Sequence, residues 1–190
     1  VGQNAEQYPF SFRLKNVPIA EASTDGGVRI SRKGWGALDF TKPYKQFPQS
    51  VPGLYTRLVV NENLEADMPE IWVEFYNGNQ LVMTGYAYDD GSMGKLSRLE
   101  LFSPKVMTED GIAVGMPVKA ALARGGAYME NELLGEGCLV GNTFILFDTS
   151  KIPAAVLTKC RRAAQAGNTY PLSAANAPAV NVQSVIFMLQ

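Results

Sequence analysis

The sequence predicts an α+β fold: a largely antiparallel, twisted sheet of β-meander type with one or two helices packed on one face. Three observations point there. Residues 54–102 alternate apolar and polar side chains over several short runs rich in β-branched and aromatic residues. In the turn Asn77 to Asn79, the Asn-Gly pair supplies the positive φ angles of a tight hairpin. Two later stretches carry the start and stop signals of helices. A chain of 190 residues has room for one ordinary core. We therefore take 1–190 as a single domain, with 1–25 a loosely attached N-terminal segment.

In chain order, "YPFSFRLKNVPI" alternates Phe10, Phe12 and Leu14 as a short strand, and Gly26-Gly27 breaks it. "GVRISRKGWG" is a second short strand with Val28 and Ile30 on one face. "FTKPYKQFPQSVPG" holds three prolines and reads as an irregular loop or single helical turns. "LYTRLVVN" and "EIWVEFYNGNQLVMTGYAYDDGSMGKLSRLELF" then form a four-stranded meander, with Ile71, Val73 and Phe75 opposed to Trp72, Glu74 and Tyr76. After it, "TEDGIAVGMPVKAALARGG" turns into a short helix: Pro117 fits the first turn, Val118, Ala121 and Leu122 share a face, and Gly125-Gly126 stops it. "CLVGNTFILFD" reads as a hairpin about Gly141-Asn142. "SKIPAAVLTKCRRAAQAG" has Ser150 as cap, Pro153 in the first turn and Gly167 at the end, the marks of a second helix. "PLSAANAPAV" is a loop by composition, and the dense apolar "VNVQSVIFMLQ" is a strand inside or next to the meander.

Composition removes whole classes of chemistry. With no histidine, Ser-His-Asp and Cys-His mechanisms are closed, and with two cysteines a Cys/His zinc site within one chain is closed too. No metal and no cofactor is expected. Seventeen basic residues balance eighteen acidic ones, and no basic run exceeds two residues, so there is no electrostatic footprint for nucleic acid. No apolar run is long enough for a membrane span, and "VGQNAEQYPF" lacks the basic start and apolar centre of a signal peptide.

The motif-like stretches weaken when counted. "GEGCLVG" departs from the dinucleotide fingerprint by one residue in its last spacing and has no βαβ setting. "GSMGK" is two residues short of a phosphate-binding loop. "SMGK" matches Ser-x-x-Lys with Ser92 and Lys95, but in a glycine-rich turn where the lysine stays solvated. Asp89 and Asp90 beside Gly91 are explained by turn chemistry, since the alternating carboxylates of a calcium loop are missing. Asp39, Glu74, Asp89, Asp90 and Glu100 are the carboxylates open to a glycosidase-type pairing, though spacing selects none of them. Trp35, Trp72, Tyr86 and Tyr88 are the candidate ligand-lining side chains, with core packing as their alternative use. Cys138 and Cys160 are either a disulfide or two buried thiols.

One resemblance emerges from the order of features. "VPGLY", "EFYNGNQLVMTGYAYDDGSMGKLSRLELFSP" and "TEDGIAVGMP", followed by a short helix and a cysteine, resemble the sigma-E-regulated envelope lipoproteins of Gram-negative bacteria, a family of unknown function. The likeness covers about residues 26–140 and the last strand, and is sharpest over 94–117. The segment "DTSKIPAAVLTKCRRAAQAGNTYPLSAANAP" is longer and more helical than that family suggests, and no lipid-bearing cysteine stands at this N-terminus. The resemblance implies a periplasmic or extracellular location, outer-membrane anchoring through a lipid outside these residues, and an oxidising compartment in which Cys138 and Cys160 are paired. The expected function is a non-catalytic exported envelope protein binding an unknown protein or small-molecule partner, with no nucleic acid. The alternative is a carboxylate-based hydrolase acting on an envelope or extracellular polysaccharide.

Overall fold

The period-two alternation along residues 57–101 produces what it specifies, a run of antiparallel strands with one apolar face. In the computed structural model, which describes residues 27–63, 70–88, 94–131 and 134–189, this run is β4 (Arg57–Asn63), β5 (Glu70–Asn77), β6 (Gln80–Tyr88) and β7 (Arg98–Leu101). Gly78, at φ +60°, and Asn79 form the two-residue β5–β6 turn; the hairpin falls at the Asn-Gly signal but one residue later, because Asn77 still pairs with Gln80 as the last residue of β5. Upstream lie β1 (Val28–Ile30) and the small β2 (Gly34–Trp35)–β3 (Leu38–Asp39) hairpin. The proline-rich stretch after them contains one 3-10 turn, Tyr44–Gln46.

Downstream of the meander, β8 (Val106–Thr108) pairs in parallel with β1, a pairing that no local pattern announces. The chain then passes through α1 (Val118–Ala121) and a 3-10 turn, Leu122–Arg124, into β9 (Gly126–Asn131), β10 (Gly135–Val140) and β11 (Thr143–Leu146). α2 (Ala154–Gln165), β12 (Tyr170–Leu172) and β13 (Ser184–Met188) complete it. Nine strands share one sheet, in the order β12-β9-β10-β11-β13-β7-β6-β5-β4. Every pairing in it is antiparallel. The last strand, β13, sits between β7 and β11 and so joins the meander to the second antiparallel block.

The fold is mainly β with two short helices, and the sheet does not close into a barrel. The helical share is smaller than an α+β reading implies, because α1 is one turn and only α2 runs to 12 residues. Ser150 does not cap α2. Asp148 accepts from the Ser150 backbone N–H and caps the 3-10 turn Thr149–Lys151, while Pro153 stands at the start of α2. Pro171 and Leu172, assigned to a loop by composition, instead form β12 with Tyr170 and pair with β9. The strand expected over residues 10–14 lies outside the described residues.

One face of the sheet is the main core. Leu58, Phe75, Met83, Leu101, Val185, Ile145, Cys138 and Tyr128 follow one another from strand to strand in register and are buried. Over them pack Ile30, Leu38, Phe40, Phe47, Leu54, Tyr55, Leu122 and Cys160. Tyr55 meets Phe75 edge-on, with ring centroids 5.0 Å apart.

A correction falls in this core. Cys138 and Cys160 are free, and both are buried. Cys138 stands on the core face of β10 and Cys160 on the buried side of α2, which lies against β9 and β12. Each acts as a small apolar side chain rather than as half of a bridge.

Candidate functional site

The opposite face of the sheet collects four of the side chains that the sequence marked, Trp72, Glu74, Tyr86 and Glu100. Alternation along β5 sends Trp72, Glu74 and Tyr76 to this outer face, and the register carries the pattern across the neighbouring strands. One row reads Asn61, Trp72, Tyr86, Arg98, Met188. The next reads Val59, Glu74, Thr84, Glu100, Ile186, Phe144, Leu139. Trp72 and Tyr86 are therefore cross-strand neighbours. Tyr88 continues the same alternation on the β6 backbone, opposite Glu70. Trp35 is separate: it packs against the main core from the β2–β3 hairpin.

Hydrogen bonds tie the outer-face residues together. Tyr86 donates to Glu100 Oε2 at 3.1 Å and Ser184 donates to Glu100 Oε1 at 3.2 Å. Tyr76 donates to Glu74 Oε2 at 3.0 Å. Two guanidinium groups lie over aromatic rings, Arg98 over Tyr86 at 4.6 Å and Arg57 over Tyr76 at 4.2 Å. Burial, and then the charge of Glu100, raises the Tyr86 phenol well above its ordinary range. Burial and the bond to Glu74 raise Tyr76 as well. Both phenols thus stay neutral donors to carboxylates. Asn61 Nδ2 is buried with no hydrogen-bond partner among the described residues.

Toward β9 the same face becomes apolar. Leu134, from the β9–β10 turn, packs with Phe144 and Ile186, joined by Met129, Leu139, Leu146 and Met188. A pocket of about 230 Å³ opens among Met129, Asn131, Leu134, Leu139, Asn142, Phe144 and Met188. Its two thioethers make an adaptable wall, and among the described residues its lining holds no charged group. The apolar side chains of this cluster come only from sheet strands and the β9–β10 turn. The helices pack on the other face.

A third polar cluster lies under α2. Glu136 accepts from Arg161 Nε at 3.0 Å and from its terminal nitrogen at 3.2 Å, and from the Thr149 hydroxyl at 2.6 Å. The Arg161 bonds hold the Glu136 carboxyl below its ordinary value, against some desolvation. Tyr128 is 0% exposed; its hydroxyl faces this pair without closing a hydrogen bond, and burial pushes it up to about 12. Burial, with a further contribution from Cys160, raises the Cys138 thiol to about 12, and burial raises Cys160 too. Such thiols are neither nucleophiles nor metal ligands near neutral pH.

Of the carboxylates considered for catalysis, Glu74 and Glu100 share a row, two strands apart with Thr84 between. Asp39 is elsewhere, accepting from the Thr41 backbone N–H and hydroxyl in a turn. Asp89, Asp90 and Ser92 lie outside the described residues. No group of three or more His, Cys, Asp or Glu side chains able to hold a metal occurs among the described residues. Arg98, Tyr76 and Ser184 were not singled out from the sequence. For Arg98 and Tyr76 the signal is period-two alternation with Glu100 and Glu74. For Ser184 none exists, because its neighbour is set by the β13–β7 pairing.

No known protein-family model matches this chain, and no curated protein sequence does. Among solved structures, the chain is similar to the crystal structure of the uncharacterized protein yfeY from Escherichia coli. The TM-score is 0.50 at 16% identity, over 85% of this chain and 99% of that one. At that identity the similarity is one of fold alone: this mainly antiparallel architecture is shared with that protein.

Proposed function

We propose that this is a non-catalytic binding protein of the bacterial cell envelope, periplasmic or held at the outer membrane by a lipid, whose contact surface is the outer face of the nine-stranded sheet. The observation that carries the binding role is the combination on that face of the Trp72–Tyr86 pair and a neutral, methionine-lined pocket, with no helix packed over them among the described residues. The envelope location rests on the sequence resemblance over residues 94–117, and the fold likeness to an Escherichia coli protein is compatible with it. The free thiols give an oxidising compartment no support. Fractionation of the native host tests the location: recovery with the periplasm or membranes supports it, and recovery with the cytosol overturns it.

A second reading, a carboxylate-based hydrolase acting on a polysaccharide, is favoured by one observation, the shared row of Glu74 and Glu100. Two strand spacings amount to about 10 Å between backbones. Carboxyls leaning toward each other from that distance enter the range of about 6.5–9.5 Å used by inverting glycosidases. Release of reducing ends from purified peptidoglycan, lost in Glu100→Gln, would establish it.

A further inference from the structure

The two edges of the nine-stranded sheet are built differently. β12 ends one side with three residues, and its central Pro171 cannot donate to another strand. β4 ends the other side with seven residues, RLVVNEN, holding neither proline nor lysine nor glycine. Its pairing with β5 runs through seven successive residues, Arg57 to Asn63, without a register shift, so no bulge twists the edge away. Among the described residues no strand pairs with its free side.

The two charged side chains of β4 do not guard the edge either. Arg57 is folded back over the Tyr76 ring at 4.2 Å, and Glu62 accepts from the Tyr44 hydroxyl at 2.7 Å. Midway between them Val60, 39% exposed, is the one exposed large hydrophobic side chain among the described residues. Proteins commonly blunt long edges with charge, proline, a bulge or a cover; among the described residues β4 has no proline, bulge or cover, and its two charges are engaged within the chain.

We propose that β4 is a homodimerisation edge that pairs antiparallel with β4 of a second copy of this chain, continuing the sheet across a two-fold axis. Such an axis stands perpendicular to the sheet and keeps each face continuous, so a residue meets one that points to the same side. With Val60 on the axis, Val60 meets its own copy, Val59 meets Asn61, Leu58 meets Glu62 and Arg57 meets Asn63. No like charges stand opposite one another. The strand thus meets its own copy without like-charge repulsion, and the exposed valine is buried at the centre. The pairing also brings the two outer faces, each with its Trp72 one strand in from the joint, onto one side of the dimer.

Sedimentation equilibrium on the purified chain over a wide concentration range tests this. A monomer–dimer equilibrium is expected for the native chain. Val60→Lys, which sets two ammonium groups face to face at an exposed position, should weaken it at least about ten-fold, and Val60→Thr should retain it. Circular dichroism on both variants separates loss of pairing from loss of fold. Val60→Cys should form an interchain disulfide under mild oxidation, because directly opposed strand residues have Cα atoms within bridging distance. A cysteine at the exposed Lys119 should not. A chain that stays monomeric throughout, or a dimer that Val60→Lys leaves intact, overturns the proposal.

Discussion

The Thr143 hydroxyl donates to Asp110 Oδ2 at 2.8 Å, across 33 residues of sequence. The same carboxylate oxygen accepts from the Asn142 backbone N–H at 3.0 Å, and Thr143 Oγ1 also lies 3.1 Å from the Thr108 hydroxyl. The glycine-rich "TEDGIAVGMP" stretch is therefore a clasp on the β10–β11 turn. Gly141, at φ +60°, leaves the space that Asp110 occupies, where any Cβ would collide with the carboxylate. Asp110→Ala removes the side-chain acceptor of two donors, one on the fully buried Thr143. We expect a loss of about 2–3 kcal/mol, read by urea denaturation, with Asp110→Asn losing less. An unchanged midpoint for Asp110→Ala would show the clasp to be idle.

That clasp marks where the sequence stops being legible. The β4–β7 meander could be read because each strand carries its own alternation and the β5–β6 turn its own Asn-Gly signal. β9 could not: "GAYMEN" gives a weak alternation, and the strand forms because β10 and β12 pair with it on either side. The β1–β8 pairing and the place of β13 depend likewise on distant partners. At the candidate site, Trp72, Glu74 and Tyr86 could be grouped once β5 and β6 were known to be a hairpin. Trp35 is equivalent by type but stands apart, partly buried against the main core, since residue type alone does not say which side of the sheet a hairpin packs on. The pairing of Cys138 with Cys160 is implied by the resemblance alone, and no local pattern says how two buried side chains face each other.

The Glu136–Arg161 pair gives stability a pH dependence whose sign follows from the lowered carboxyl. A carboxylate depressed in the folded state stabilises above its unfolded value, near 4.5, and that stabilisation is lost as pH falls through the lower folded value. Arg161→Met should therefore melt below the native chain at neutral pH, with the gap closing as pH falls below the unfolded value. Melting curves at neutral pH and at successively more acid pH check this; a gap that stays constant would place the contribution of Arg161 in packing rather than charge.

Two unreactive thiols are expected in the native protein. Cys138 and Cys160 are both 0% exposed, and burial suppresses the thiolate of each. A water-soluble disulfide reagent at mildly alkaline pH should release almost nothing from the folded chain and two equivalents after denaturation without reductant. Failure to find thiols in the denatured chain would mean that the two are bridged.

Gly137 is a position where a side chain cannot be added. A Cβ there would meet the Ile145 carbonyl oxygen and stand 2.8 Å from Phe144 Cζ, because the Phe144 ring lies across the strand at this point. The backbone oxygen cannot swing aside, so Gly137→Ala should cost at least about 1–3 kcal/mol, the range for overpacking. Phe144 also lines the methionine-walled pocket. The displaced ring should therefore weaken uptake of an apolar fluorescent dye, which Trp35→Phe should leave unchanged. Loss of stability with unaltered dye binding would separate the pocket from the ring.

Tyr128 tests the opposite kind of change. Its hydroxyl is buried and closes no hydrogen bond, a cost carried by the folded state alone. Tyr128→Phe keeps the ring and removes that cost, so stability at neutral pH should stay level or rise by up to about 1 kcal/mol. The alkaline limb gives an independent readout. The folded phenol titrates at about 12, against 10.0 for the ordinary group, because of burial first and the Glu136 charge next. A group raised in the folded state gives stability that is complete below the unfolded value and drains away as pH rises toward the folded one. Above about pH 10 the native chain should therefore lose stability faster than Tyr128→Phe, and the difference between them should widen up to about pH 12. A Phe variant that is less stable at neutral pH would mean that the hydroxyl makes a bond to the Glu136–Arg161 pair in solution.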